Sequence, residues 1–519
     1  MRQLTSLDAQ FLALENDRQS GHVAGLAILD PSTTPDGRLS VADIQSVVAE
    51  RLPLLPPLRW RLAEVPLGLD YPYWVDDSGF DLDFHVRELA LPRPGSDVQL
   101  ADQVARIASR PLDRARPLWE LYLIHGLRSG HVGMLTKIHH ALIDGMSGAE
   151  IMGLLLDLGA DGPSLSGVHD WKGEPDEMPG SLEMLARGML GVPRYPLRVL
   201  RSLPRALPNL AATPFGTLPG AGLVGGLASR AQRLVGGRGA ASGAQRLTAP
   251  RTSFNGRISA HRRFVFGQLS LDAAKAAKAH HGATVNDVVV SICAGAVRRW
   301  LIEHDELPDE PLVAQVPVSV RTGEEIGTYG NRVLLMSAPL FVGEADPVKR
   351  LALTHDALSD MKDHHRALPA DLLQDANHFI PPAVFARAAQ LTFRLSTSGA
   401  GRPTWNLVIS NVLGPQISLY CAGARMVANF PVSVITDGMG LNITVMSYCG
   451  SLDFGIISDR DQMPDLWKLI DWLKEELADL APPPSAPSSS PAPRRRRSTP
   501  SARSASTNGA QRPTPAKNR

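Results

Sequence analysis

The stretch Val132 to Leu158, VGMLTKIHHALIDGMSGAEIMGLLLDL, constrains this chain more than any other. Val132 to Ile138 is a short apolar run, interrupted by Thr136 and Lys137, that reads as a buried strand. At its end stand His139, His140, Asp144 and Gly145. Ser147 then serves as an N-cap, with Glu150 completing a capping box, and Ile151, Leu154, Leu155 and Leu158 share one face of the helix that follows. A strand that delivers two imidazoles and a carboxylate into a turn, before a helix, is how a rigid scaffold presents a base. A histidine whose ordinary pKa is roughly 6.5 accepts a proton at neutral pH. Asp144 can fix the turn by pairing with a cation elsewhere, and Gly145 suits a positive φ or a close approach. The residues alone leave a second reading open, in which two strand-end histidines and a helix-capping Asp are structural. No metal is expected, because adjacent residues on an extended backbone point to opposite faces and cannot easily share an ion.

Around this stretch the chain divides into four. Strands and helices alternate through residues 1–160, which implies a layered α/β domain. A helix starts at Ser6, a strand runs from His22 to Leu29, and Ser40 opens a second helix. A further helix places Val98, Leu100, Val104 and Ile107 inward, and LWELYLIHGL should pair antiparallel with the histidine strand. Residues 161–250 are a Gly-, Pro- and Arg-rich crossover, with no acid between Met184 and Leu271. Its Gly220 to Gly225 matches GxGxxG but follows prolines rather than a strand, so a dinucleotide site is excluded. Residues 251–480 form a second α/β domain. There Ser270 and Gly282 bracket one helix, Thr284 with Asp287 caps the next, and two strands form a hairpin across Cys449, Gly450 and Ser451. Residues 481–519 are a disordered basic tail.

The motif HHALIDG resembles the active-site signature of the CoA-dependent acyltransferase superfamily, and the wider chain resembles the bacterial wax ester synthase/diacylglycerol acyltransferases. Supporting stretches occur in the family's order: LTSLDAQFLALE (Leu4 to Glu15), PLDRARPLWEL (Pro111 to Leu121), FNGRIS (Phe254 to Ser259), GATVNDVV (Gly282 to Val289), PVSVR (Pro317 to Arg321), GNRV (Gly330 to Val333) and ISNVLGP (Ile409 to Pro415). The resemblance implies an α/β fold of two similar chloramphenicol-acetyltransferase-like domains with mixed sheets, and a tunnel at their interface. It implies His140 as general base, His139 packing or orienting the turn, and Asp144 and Gly145 shaping it. Pro117, Leu118, Trp119 and Glu120 would lie near the acyl substrate, although a buried Trp in an apolar strand, beside a half-paired Glu, reads more readily as packing. Asn286 and Asp287 would shape the tunnel from the second domain, or serve as helix-capping support, and Asn286 and Ser410 are candidate oxyanion donors. Acyl-CoA is then a substrate and no cofactor is needed. The acceptor is diacylglycerol, as in actinobacterial members that make triacylglycerol, or a long-chain alcohol giving wax ester. A non-catalytic lipid-coating relative is the rival.

Composition bears on compartment. With 44% hydrophobic residues the 519-residue chain can bury sizeable cores, and three cysteines without metal spacing suit a reducing cytoplasm. Asp8, Glu15 and Asp17 interrupt what would be a signal peptide's apolar core. Ala206 to Ser229 is uncharged, but its prolines and glycines argue against a spanning helix. The expectation is a cytoplasmic protein held peripherally at the inner membrane or a lipid droplet through Met184 to Leu247, where Arg alternates with apolar residues. No nucleic-acid partner is expected.

Overall fold

Local capping chemistry and turn geometry set out the elements of this computed structural model, which describes residues 1–143, 155–160, 179–191, 248–319, 333–366, 387 and 402–482. The first half runs β1 (Arg2–Gln3), α1 (Ser6–Leu14), β2 (His22–Asp30), α2 (Val41–Arg51), β3 (Trp60–Ala63), β4 (Tyr73–Asp76), α3 (Leu82–His85), β5 (Val86–Ala90), α4 (Asp97–Ala108), β6 (Trp119–His125), β7 (Val132–His139) and α5 (His140–Ile143). After α6 (Ser181–Gly191) come β8 (Arg262–Ser270), α7 (Leu271–His281), α8 (Val285–Glu303), β9 (Leu312–Ser319), β10 (Val333–Leu340) and α9 (Pro347–Arg366). The chain closes with β11 (Leu407–Val412), β12 (Tyr420–Cys421), β13 (Ala424–Val432), β14 (Leu441–Tyr448), β15 (Ser451–Asp459) and α10 (Trp467–Asp479).

Capping boxes start α1 at Thr5, α2 at Ser40, α4 at Ser96 and α8 at Thr284. Each such cap is worth about 1 kcal/mol. Gly282, with φ of 69°, ends α7, and the β14–β15 hairpin turns through Cys449 and Gly450 at φ of 42° and 83°. Two successive left-handed residues match the twist of the flanking strands. Two expectations fail. Val98 is half exposed, because Leu100, Val104 and Ile107 keep helical spacing on the buried face and Val98 lies off it. Leu158 is exposed rather than packed, since the chain has left the helix by Asp157, which bridges to Tyr420 and pairs with Arg51. Ser147, Glu150, Ile151 and Leu154 lie outside the described residues.

The fold is α/β with two six-stranded mixed sheets. The first has the order β12-β13-β2-β7-β6-β5 and the second β10-β9-β11-β14-β15-β8; β1, β4 and β3 form a small third sheet. Parallel pairs occur in both large sheets, β5 with β6 in the first and β11 with β9 and β14 in the second. As expected, β6 and β7 are antiparallel. Sheet membership does not follow chain position, because β12 and β13 come from the second half yet extend the first sheet, where β13 pairs with β2. To reach it, β13 passes close over β15: a Cβ on Gly455 would lie 1.7 Å from the Pro431 carbonyl oxygen. One apolar core joins the sheets, with Leu26, Val104 and Leu135 packed in the same cluster as Phe264, Phe430 and Ile457.

Candidate active site

β7 lies between β2 and β6, and every position on it except Thr136 is buried. Lys137 is therefore a cation with no exposed surface. Its Nζ donates to the carbonyls of Ile107 (3.2 Å) and Arg110 (2.5 Å) and lies 3.6 Å from Glu120 Oε2. Across the strand pair His22 Nε2 bonds to Ala108 O at 2.8 Å. A buried ammonium and an imidazole thus satisfy carbonyls at the C-terminus of α4, the negative end of its dipole. Burial pulls the Lys137 pKa down to about 8 despite Glu120, and holds that of His22 well below its usual value. Beside His22, a pocket between the sheets is lined by Ala108, Arg262, Ser433 and Ile457 among others.

The backbone of the histidine pair is held from both sides. His139 donates its amide to Leu118 O and His140 donates to Gly21 O, each at 2.9 Å. His139 is buried, and its Nδ1 accepts from the Ala141 amide at 3.0 Å. A ring nitrogen that accepts carries no proton, so in neutral His139 the hydrogen sits on Nε2. That nitrogen lies 3.1 Å from Glu15 Oε1. The Glu15 carboxylate also accepts from the Gly21 amide (2.7 Å) and from Arg114 Nη2 (2.8 Å). Burial alone would raise its pKa, but His139, the Gly21 amide and Arg114 outweigh burial and lower it to about 2. The partly buried ring of His140 stacks on Phe11, with centroids 4.5 Å apart and planes 9° from parallel. The two imidazoles therefore have different partners, His139 a carboxylate and His140 an aromatic face.

The other candidates are placed as follows. Asp144 and Gly145 lie outside the described residues. Pro117, Leu118, Trp119 and Glu120 are all buried at the start of β6. Trp119 donates Nε1–H to Leu58 O at 2.7 Å and stacks on His85. Glu120 accepts from Tyr122 Oη at 2.9 Å and lies 3.6 Å from Arg87. Asn286 and Asp287 form the first turn of α8: Asp287 caps it and meets His355 Nδ1 at 2.7 Å, while Asn286 accepts from Asn411 at 3.3 Å. Ser410 lies on β11, paired with Thr444. Sequence reasoning passed over Glu15, Arg114, Phe11 and Gly21. The available signal was that Phe11 and Glu15 fall in LTSLDAQFLALE and Arg114 in PLDRARPLWEL. Among the described residues no group of three or more His, Cys, Asp or Glu is placed to hold a metal ion.

Two mixed sheets joined by an exchanged strand hold a histidine pair at the end of a central strand. The wax ester synthase/diacylglycerol acyltransferase catalytic domain matches residues 4–289, and the C-terminal domain of the same family matches residues 329–481. The chain belongs to this family. It is 36% identical to the Mycobacterium tuberculosis protein named "Putative diacyglycerol O-acyltransferase MT1809", over 92% of this chain and 90% of that protein. It is 31% identical to the O-acyltransferase WSD of Acinetobacter baylyi, over 92% and 96%. Among solved structures, the wax ester synthase/diacylglycerol acyltransferase of Marinobacter aquaeolei VT8 aligns with a TM-score of 0.65 at 29% identity, covering 92% of this chain and 98% of that one. A peptide-synthetase condensation domain, the first of the calcium-dependent antibiotic synthetase, shares the fold at 16% identity and a TM-score of 0.50.

Proposed function

We propose that the chain transfers a long-chain acyl group from acyl-CoA to the free hydroxyl of diacylglycerol, giving triacylglycerol, with His140 as general base. The observation that carries this is the setting of His140, whose amide is tied to Gly21 and whose ring lies flat on Phe11. The imidazole takes the hydroxyl proton as that oxygen attacks the thioester carbonyl carbon. Collapse of the tetrahedral adduct breaks the C–S bond, and the imidazolium returns the proton to the CoA thiolate. No acyl-enzyme and no cofactor is needed. A positioned base contributes about 10²–10⁴-fold, and holding two substrates in line adds a further large factor. Asn286 or Ser410 supplies a donor to the oxyanion. The name of the mycobacterial relative supports diacylglycerol as acceptor. The Marinobacter protein's name supports a second reading, transfer to long-chain alcohols as well.

The acceptor partitions into lipid, so the enzyme must meet a membrane or droplet surface. Among the described residues no helix is long and apolar enough to cross a membrane. Support for peripheral contact comes from α6, which buries Met184 but leaves Leu182, Met189 and Leu190 exposed, and from exposed Leu67 on the turn it packs against. The remaining stretch, 192–247, with Arg194, Arg198, Arg201 and Arg205, lies outside the described residues.

Purified protein given palmitoyl-CoA and a panel of acceptors, with products identified by mass spectrometry, tests the reading. Triacylglycerol should form from diacylglycerol, and His140→Ala should lower turnover by about 10²–10⁴-fold with the fold intact. An equally active His140→Ala protein would refute the mechanism, and product from fatty alcohols alone would move the reading to wax ester synthesis. In the same preparation, flotation with anionic vesicles should weaken with salt. Binding indifferent to salt would place lipid contact on another surface.

A further inference from the structure

Helix α1 touches both imidazoles of the histidine pair. Phe11 lies under the ring of His140, and Glu15, four residues later and so on the same face of the helix end, lies against His139. Gly21 joins the two contacts, since its amide donates to Glu15 Oε1 and its carbonyl accepts the His140 amide. A side chain here is excluded by the contact itself, because a Cβ on Gly21 would stand 2.8 Å from His139 Nε2. The Glu15 carboxylate is in turn clamped by Arg114, whose guanidinium also donates to Leu12 O at 2.7 Å and Glu64 at 2.9 Å.

We propose that Glu15, held by Arg114 and the Gly21 amide, is a positioning residue for the base: it keeps the proton of His139 on Nε2 and thereby fixes the turn in which His140 is set. The inference rests on the reading of His140 as the base. Its physical content is a tautomer. With the proton on Nε2, His139 Nδ1 is free to accept the Ala141 amide, an N–H of the first turn of α5. A proton on Nδ1 breaks that bond and leaves a buried amide unpaired, which loosens the backbone on which His140 sits. An anion beside Nε2 opposes that exchange. Among the described residues, titratable groups near His139 include His22 and Lys137, both bound to the end of α4, and Arg114 behind Glu15.

The test compares wild type with Glu15→Gln, Glu15→Asp and His140→Ala, measuring kcat and KM for palmitoyl-CoA, melting temperature, and the tautomer of His139 by nitrogen NMR of histidine-labelled protein. Glu15→Gln should lower kcat by up to about 100-fold, the scale of a misplaced reacting group. KM should stay within about twofold, and the His139 signal should shift toward the Nδ1–H form. Glu15→Asp, which keeps the charge, should recover part of kcat. A Glu15→Gln protein with wild-type kcat and an unchanged tautomer overturns the proposal while leaving His140 untouched. An active His140→Ala protein overturns instead the reading on which it rests. If Glu15→Gln does not fold, Arg114→Met tests the same clamp from its outer side, and unchanged kcat and tautomer there are equally fatal.

Discussion

Asp453 on β15 has no exposed surface and no cationic partner among the described residues. Its two oxygens accept from the Asn429 amide (2.7 Å) and Gln268 Nε2 (2.9 Å), yet burial still pushes its pKa up to about 6. The folded state therefore binds this proton more tightly than the unfolded chain, where an Asp titrates near 3.9. The stability it contributes is complete below that value and is lost as pH rises through about 6, at most about 3 kcal/mol. Asp453→Asn should flatten this part of the profile, read as denaturation midpoints at pH 4.5 and pH 7; an unchanged slope would assign it to other groups. Nothing in the local sequence around Asp453 announces the burial. The same holds for Glu15 and Arg114, whose contact spans 99 positions of chain. Each sits in a motif visible in the sequence, but only the fold shows that the two motifs meet beneath His139.

Gly295 sits inside α8, where a glycine costs about 1 kcal/mol of helix propensity relative to alanine. The packing explains it. A Cβ there would stand 2.1 Å from Glu476 Oε2 on α10 and 2.7 Å from Arg350 on α9, the two partners of a buried ion pair that Arg299 also joins. Gly295→Ala should therefore destabilise the protein by about 1–3 kcal/mol despite the better helix former, because overpacking beside a desolvated charge outweighs propensity. A higher melting temperature would show that the ion pair yields easily. At this scale the sequence was largely readable. Ser40, Ser270, Thr284 and Gly282 act as their residue types dictate, since caps and tight turns are decided within four residues. Val98 and Leu158 misled for different reasons: Val98 lies off the face that Leu100, Val104 and Ile107 define, and Leu158 falls beyond the point where the chain leaves the helix.

For the whole molecule the two sheets were foreseeable from alternating strands and helices, whereas their strand order was not. Pairing of β13 with β2 joins residues some 400 positions apart, and no periodicity encodes such a partner. The close passage at Gly455 is its structural requirement: Gly455→Ala should push β13 off β15, destabilise the protein by about 3 kcal/mol or more, and impair both halves together. Separate melting of the halves with β13 still in place would contradict this. The exchanged strand also has a consequence during synthesis. β2 and β7 leave the ribosome early, but the outer edge of β2 has no neighbour until Ala424 to Val432 has been made. At about 5–20 residues per second the wait from the end of β7 to β13 is roughly 15–60 s. For that interval the nascent chain displays an open strand edge beside its future active site, so a holding chaperone has most to protect after the histidines are made and before the chain is complete.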